Sequence, residues 1–121
     1  MALIKSIEIL TILIIIVVAA NSALDAGHDL IVGSRLAGDK CIYKENIVKA
    51  GKWFQIVEVT KKIKTTRDEK VTQIIAKDHA LDGTGAFAKV IEGGPMYYNV
   101  TMNFKSQRSY GIDFTLEVYA R

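Results

Sequence analysis

The chain reads as a single all-β domain, an antiparallel sandwich or small barrel of about seven strands, preceded by an N-terminal signal helix. Three observations point there. Hydrophobic and polar residues alternate with a period of two through most of the chain after residue 28. Turn signals built on glycine, aspartate and proline recur about every 8–12 residues, and no later segment carries the period of a long amphipathic helix. The 121 residues are 50% hydrophobic and 24% charged with a single proline, which is a globular composition and excludes disordered and collagen-like chains. A domain of this length buries about two thirds of its unfolded surface and needs no staple to fold.

The first segment differs from all the others. Ile9 to Ala20 is an uncharged apolar run preceded by Lys5 and closed by the small pair Ala19-Ala20. That is the form of a secretory signal peptide over residues 1–20, cleaved after Ala20 or, failing that, after Ser22 or Ala23. A spanning helix would need about 20 apolar residues, and Lys5 and Glu8 interrupt any upstream extension. Glu8 is unusual in such a leader. The reading implies a secreted, extracellular domain over residues 21–121 with no stable membrane anchor after cleavage. Cleavage removes one charge of each sign, so the net charge stays at +3. A balance that mild disfavours a nucleic-acid partner.

The strands are read in order as Asp29–Arg35, Lys40–Val48, Trp53–Lys64, Val71–Asp78, Ala86–Glu92, Asn99–Lys105 and Ile112–Tyr119. The last is the clearest: Ile112, Phe114, Leu116 and Val118 take one face, while Asp113, Thr115, Glu117 and Tyr119 take the other. Val100, Met102 and Phe104 alternate in the same way, and the six polar residues 106–111 between the two segments suggest a β-hairpin with a long loop. Turn residues Asp82-Gly83-Thr84-Gly85 and Gly93-Gly94-Pro95 bound the fifth strand.

Chemistry is sparse in these residues. One cysteine and two histidines exclude a disulfide scaffold and leave no Cys/His zinc set. His28 is expected to fray with the mature N-terminus, and Cys41, the one free thiol, reads as a small buried hydrophobe, so a Cys41/His79 dyad is disfavoured. Asp78 and Asp82 flank a turn, where aspartates usually bond their own backbone, and with Glu92 or Glu117 they match no calcium-loop spacing. Gly83-Thr84-Gly85 lacks the lysine and third glycine of the phosphate-binding motifs. We therefore expect no catalytic, metal or cofactor-binding residues and no cofactor: the protein is not an enzyme.

Three features remain. The basic cluster Lys61, Lys62, Lys64 and Arg67 is either an anion-binding patch or an edge strand kept soluble by lysines. Asn99-Val100-Thr101 is an N-glycosylation acceptor, with Asn99 on the polar face of its strand. Trp53, Phe54, Phe87 and Tyr98 would line a pocket if the protein were a ligand carrier.

Several blocks in order resemble one family: Gly33-Ser34-Arg35, Gly38-Asp39, Ile42 to Gly51, Val71-Thr72-Gln73-Ile74 with Ala76 and Asp78, Gly83-Thr84-Gly85-Ala86, and Gly93-Gly94-Pro95. The strongest comes last, with Lys105-Ser106-Gln107-Arg108, Gly111-Ile112-Asp113-Phe114 and Glu117-Val118-Tyr119-Ala120. Together they are similar to the insect multiprotein bridging factor two family, whose members are often labelled probable salivary secreted peptides. Cys41, His79 and Met96-Tyr97-Tyr98 depart from its pattern. The resemblance implies no catalytic residue. It implies either a small secreted binding protein of saliva, venom or haemolymph or, by the family's founding label, a transcriptional coactivator bridging a nuclear factor to the basal machinery. The leader favours the first. The expected partner is a protein, a glycan or a small-molecule ligand, with the oligomeric state open.

Overall fold

The computed structural model describes residues 27–66 and 68–121, so the expected signal peptide at residues 1–20 and Arg67 of the basic cluster lie outside the described residues. Seven strands follow in order: β1 (Leu30–Gly33), β2 (Lys40–Lys49), β3 (Glu58–Lys64), β4 (Val71–Asp78), β5 (Phe87–Gly93), β6 (Asn99–Lys105) and β7 (Ile112–Ala120). One sheet has the order β1-β4-β7-β2, the other β3-β6-β5, and every pairing is antiparallel. The sheets keep free edges and close into no barrel, so the fold is a sandwich. No helix occurs among the described residues.

Period-two alternation turns one face of each sheet inward. Ile47, Ile74, Ala76, Ile112, Phe114, Leu116 and Val118 of the four-stranded sheet meet Ile63, Val100, Met102 and Phe104 of the other in one core. Phe104 and Phe114, one from each sheet, bring their ring centroids to 5.3 Å across the interface, within the range where aromatic pairs attract.

Residues 99–119 form no hairpin. β6 belongs to the three-stranded sheet and β7 to the four-stranded one, and residues 106–111 carry the chain between them. Alternation places apolar residues on the core side, and two strands satisfy it equally by facing each other across the core as by pairing side by side. The hydrogen-bonding groups of Ser106 go to Val57 in the β2–β3 loop. The tight hairpin is instead β5–β6. There Gly93 at φ 68 is obligatory, because a Cβ would stand 2.2 Å from the Asn99 carbonyl oxygen.

β3 also begins later than its hydrophobic run suggests. Lys52 to Gln55 form a turn closed by a 3.0 Å bond from Gln55 N–H to the Lys52 carbonyl, with Phe54 at φ 56.

β1 and β2 are opposite edges of one sheet, so residues 34–39 must cross the end of it. Two bulges prepare the crossing, one in β2 between Cys41 and Tyr43 and one in β4 between Val71 and Gln73, both beside the end of β7. The second extrudes Thr72, whose hydroxyl donates to Asp39 at 2.9 Å, a bulge re-aiming a side chain.

Candidate functional site

The outward face of the three-stranded sheet gathers charge that the sequence scatters. Its registers align Glu58, Lys105 and Phe87 in one row and Thr60, Asn103 and Lys89 in the next. Lys62 and Thr101 then face the Ile91–Glu92 bulge of β5, and Lys64 stands beside Asn99. Four exposed lysines (62, 64, 89 and 105) thus stand against two glutamates on one face. Lys40, Lys44 and Lys61 each reach a carboxylate at 3.1–3.4 Å, whereas none of those four has an acidic partner among the described residues. Glu58 is engaged by Asn103, whose Nδ2 donates to it at 2.7 Å. Phe87, Lys89, Asn103, Lys105 and Ser106 line a shallow cleft of about 260 Å³. Beneath the lysines, Thr101 is buried and its Oγ1 has no hydrogen-bond partner among the described residues.

The strand geometry divides the basic cluster. Lys62 and Lys64 point outward, but Lys61 alternates to the core side and pairs with Glu45 at 3.1 Å. The edge-strand reading of these lysines fits, since β3 is an edge. Lys89 and Lys105, not Lys61, share the outward face with Lys62 and Lys64. They escaped sequence reading because they lie 25 or more positions from Lys64, and only the register of β5, β6 and β3 unites them. Asn99 is half-buried at the far end of the same face.

Cys41 is exposed rather than buried. The bulge after it puts Cys41 opposite Tyr119, on the outer side of the sheet, and its thiol donates to the Tyr43 carbonyl at 3.4 Å. His79 lies at the other end of β7, bonded to the Thr115 hydroxyl at 2.6 Å, which in turn donates to Asn46. The two cannot exchange a proton. His28 is not frayed. Its ring stacks on Phe87 at 4.4 Å, its Nδ1 lies 3.1 Å from the Gly85 carbonyl oxygen, and its N–H donates to buried Asp78 at 2.9 Å. Asp82 accepts from Thr84 N–H and hydroxyl, which holds its carboxyl below the usual carboxylate range. Glu117 is held down by the Tyr119 hydroxyl, and Tyr119 is pushed up by the same bond. Trp53, Phe54, Phe87 and Tyr98 share no pocket: Phe87 lines the cleft, Tyr98 sits under Lys70, and Trp53 and Phe54 pack edge to face on the β2–β3 loop.

Two further networks are architectural. Arg35 bonds Asp39 at 2.7–2.8 Å with its guanidinium 3.8 Å over the Tyr119 ring. The bond raises Arg35 and holds Asp39 far below the usual range. Asp78 ties the N-terminal segment to the β4–β5 loop. Gly85 must be glycine there, because a Cβ would fall 2.0 Å from the Asp78 Oδ2.

A family model described as "Transcription activator MBF2" matches residues 32–120, from within β1 to the end of β7. A protein from Bombus ignitus named "Probable salivary secreted peptide" is 38% identical over 103 residues, covering 85% of this chain and 76% of its own. No solved structure matches the chain.

Proposed function

The chain belongs to the family of transcription activator MBF2, and from that premise we propose that it is a small secreted protein that acts by binding and not by catalysis. Its target is an anionic chain, a sulfated or carboxylated glycan, held on the outer face of the three-stranded sheet. The apolar leader and the salivary secreted name of the Bombus relative support secretion. The observation that carries the binding reading is the set Lys62, Lys64, Lys89 and Lys105, projecting from adjoining strands without acidic partners among the described residues. Several unpaired cations on a rigid sheet attract a polyanion without first having to be ordered, and the attraction weakens with salt. The Lys89–Lys105 cleft, walled by Phe87, has room for one sugar-sized anionic group.

The family's name favours a second reading, a coactivator working through protein contacts in the nucleus. One experiment separates the two. The full chain is expressed in a eukaryotic culture, and intact mass is measured in medium and cells. Protein from the medium is then passed over immobilised heparin as a model sulfated glycan. Mature chain beginning near Asn21 in the medium, retained on heparin and released earlier by a Lys62/Lys64/Lys89/Lys105→Gln variant, is the expected result. Full-length protein confined to cells overturns secretion and leaves the coactivator. Secreted protein that passes heparin unretained, or a variant that elutes with the wild type, overturns the lysine face.

A further inference from the structure

A different surface, at one end of the sandwich, carries its own chemistry. The β2–β3 loop presents Trp53 at 80% and Phe54 at 61% exposure, the rings in edge-to-face contact at 4.7 Å, with Ile56 and Tyr110 about half exposed beside them. These are large apolar side chains at the tip of the domain, and none of the described residues covers them.

The tip is built rigid. Phe54 N–H donates to the Ser109 hydroxyl at 2.9 Å, Arg108 donates to the Phe54 carbonyl at 2.6 Å, and Ser109 N–H donates to the Gln55 carbonyl at 2.9 Å. The β2–β3 and β6–β7 loops approach so closely that a Cβ on Gly51 would lie 2.8 Å from the Ser109 carbonyl oxygen. Phe54 itself is held at φ 56, a conformation that costs a non-glycine residue energy and persists only where its surroundings enforce it. The effect is to keep both rings pointing outward instead of folding onto the protein.

Charge stands beside the rings. Arg108 donates to the Phe54 carbonyl and Lys52 opens the same turn, while Lys49 ends β2 just before it and donates to the Glu58 carbonyl, so neither Arg108 nor Lys49 spends its charge on a carboxylate among the described residues. The nearby acids are Asp113, across the cleft that Lys49 and Tyr110 line, and Glu58, which Asn103 engages. The exposed aromatic pair projects outside that cleft, with cations beside it. It matches a surface that can be penetrated and is negatively charged. Tryptophan and other aromatic residues favour the headgroup level of a bilayer, and basic residues beside them are drawn to anionic lipid.

We propose that this tip docks the protein reversibly on anionic lipid bilayers, with Trp53 and Phe54 entering the headgroup region and Lys49, Lys52 and Arg108 meeting lipid phosphates. None of its residues belongs to the lysine face, whose Lys105 end borders it. Docking of this kind is peripheral and requires no spanning segment.

Trp53 is the chain's only tryptophan, so its fluorescence reports on the tip alone. Purified protein is titrated with vesicles of phosphatidylcholine, and with vesicles in which a third of the lipid is phosphatidylglycerol. The expected result is a blue shift with the anionic vesicles only, quenched by brominated acyl chains and reversed by salt. Lys52→Gln should weaken partitioning about fivefold, from one basic residue removed near the surface. In vesicle co-sedimentation, Trp53→Ser/Phe54→Ser should abolish it. Both changes are on exposed side chains, and an unchanged urea midpoint shows that the variants fold. Unshifted emission with either vesicle, equal shifts with both, sedimentation unaffected by the double variant, or a concentration-dependent shift without lipid (a second copy covering the tip) each overturns the proposal.

Discussion

The carboxylate of Asp78 is 1% exposed, yet it accepts backbone N–H bonds from His28 at 2.9 Å and Ala80 at 3.0 Å. Its own N–H is held by Asp29 at 2.7 Å. Hydrogen bonds to a buried charge contribute about 1.5–3 kcal/mol each, and removing the acceptor strands both donors. Asp78→Ala is therefore expected to destabilise the domain by about 3 kcal/mol, read as a lower urea midpoint at unchanged slope. It should also free the N-terminal segment for hydrogen exchange at His28. Half of this role is local and legible: Ala80 is two residues on, the usual reach of a turn aspartate. The other half joins residues 50 positions apart, which no local pattern reports. Asp39 makes a related case with a pH signature. Arg35 and the Leu36 and Thr72 donors hold its carboxyl far below its ordinary value, so it binds protons more weakly folded than unfolded. Its contribution is present above about pH 4, the range where an unperturbed aspartate titrates, and is lost as pH falls toward the folded value. Asp39→Asn should lower stability at neutral pH and flatten the decline of the melting temperature between about pH 4 and pH 2; an unchanged acid limb would remove Asp39 from that role.

Among the elements, edge strands carry the greatest hazard, because their unpaired backbone groups can recruit another chain. β2 and β3 lie on the same side of the sandwich, and each turns a charge inward. Lys61 and Glu45 meet between the sheets at 3.1 Å, with the Tyr43 hydroxyl bonded to Glu45. The pair is about one third exposed, so its direct effect on stability is small, about 0–1 kcal/mol. Its value is in making that side a poor template for strand addition. Lys61→Val/Glu45→Val is expected to leave the urea midpoint nearly unchanged but raise the mass seen by light scattering as concentration increases. A variant that stays monomeric would deny the pair any guarding role. This is also the scale at which the sequence was most informative. Six of the seven strands stand close to where alternation and glycine placement put them, because those signals are local, while β3 begins five residues later, after the Lys52–Gln55 turn. Pairing was not legible: β6 and β7 show equally clear alternation, but that pattern names the core-facing side and not the neighbour. For the same reason the lysine face was half visible, with Lys62 and Lys64 adjacent in sequence and Lys89 and Lys105 supplied by register.

Across the whole molecule, the blocks that carry the family resemblance mostly build the scaffold. Arg35, Asp39, Thr72 and Tyr119 seat the crossover, while Asp78, Gly85 and Ala86 hold the N-terminal segment at His28. Trp53, Phe54, Lys62, Lys64 and Lys89 lie outside those blocks, whereas Lys49, Lys105 and Arg108 lie within them, so the blocks supply the frame and part of each proposed surface. The two proposed surfaces adjoin at the Lys105 end of β6 and diverge from there. β6 runs from Asn99 beside Lys64 to Lys105, next to the loop that braces Phe54, a span of about 20 Å at roughly 3.3 Å per residue. A glycan on Asn99 would therefore stand over the Lys62–Lys64 end of the basic face, far from Trp53. Asn99→Gln, or enzymatic removal of the glycan from secreted protein, is expected to lengthen retention on heparin while leaving the Trp53 response to anionic vesicles unchanged. Retention that does not move, in protein whose intact mass carries the glycan, would mean that polyanions bind at the Lys89–Lys105 end alone. A change in the vesicle response would mean that the two surfaces share one target.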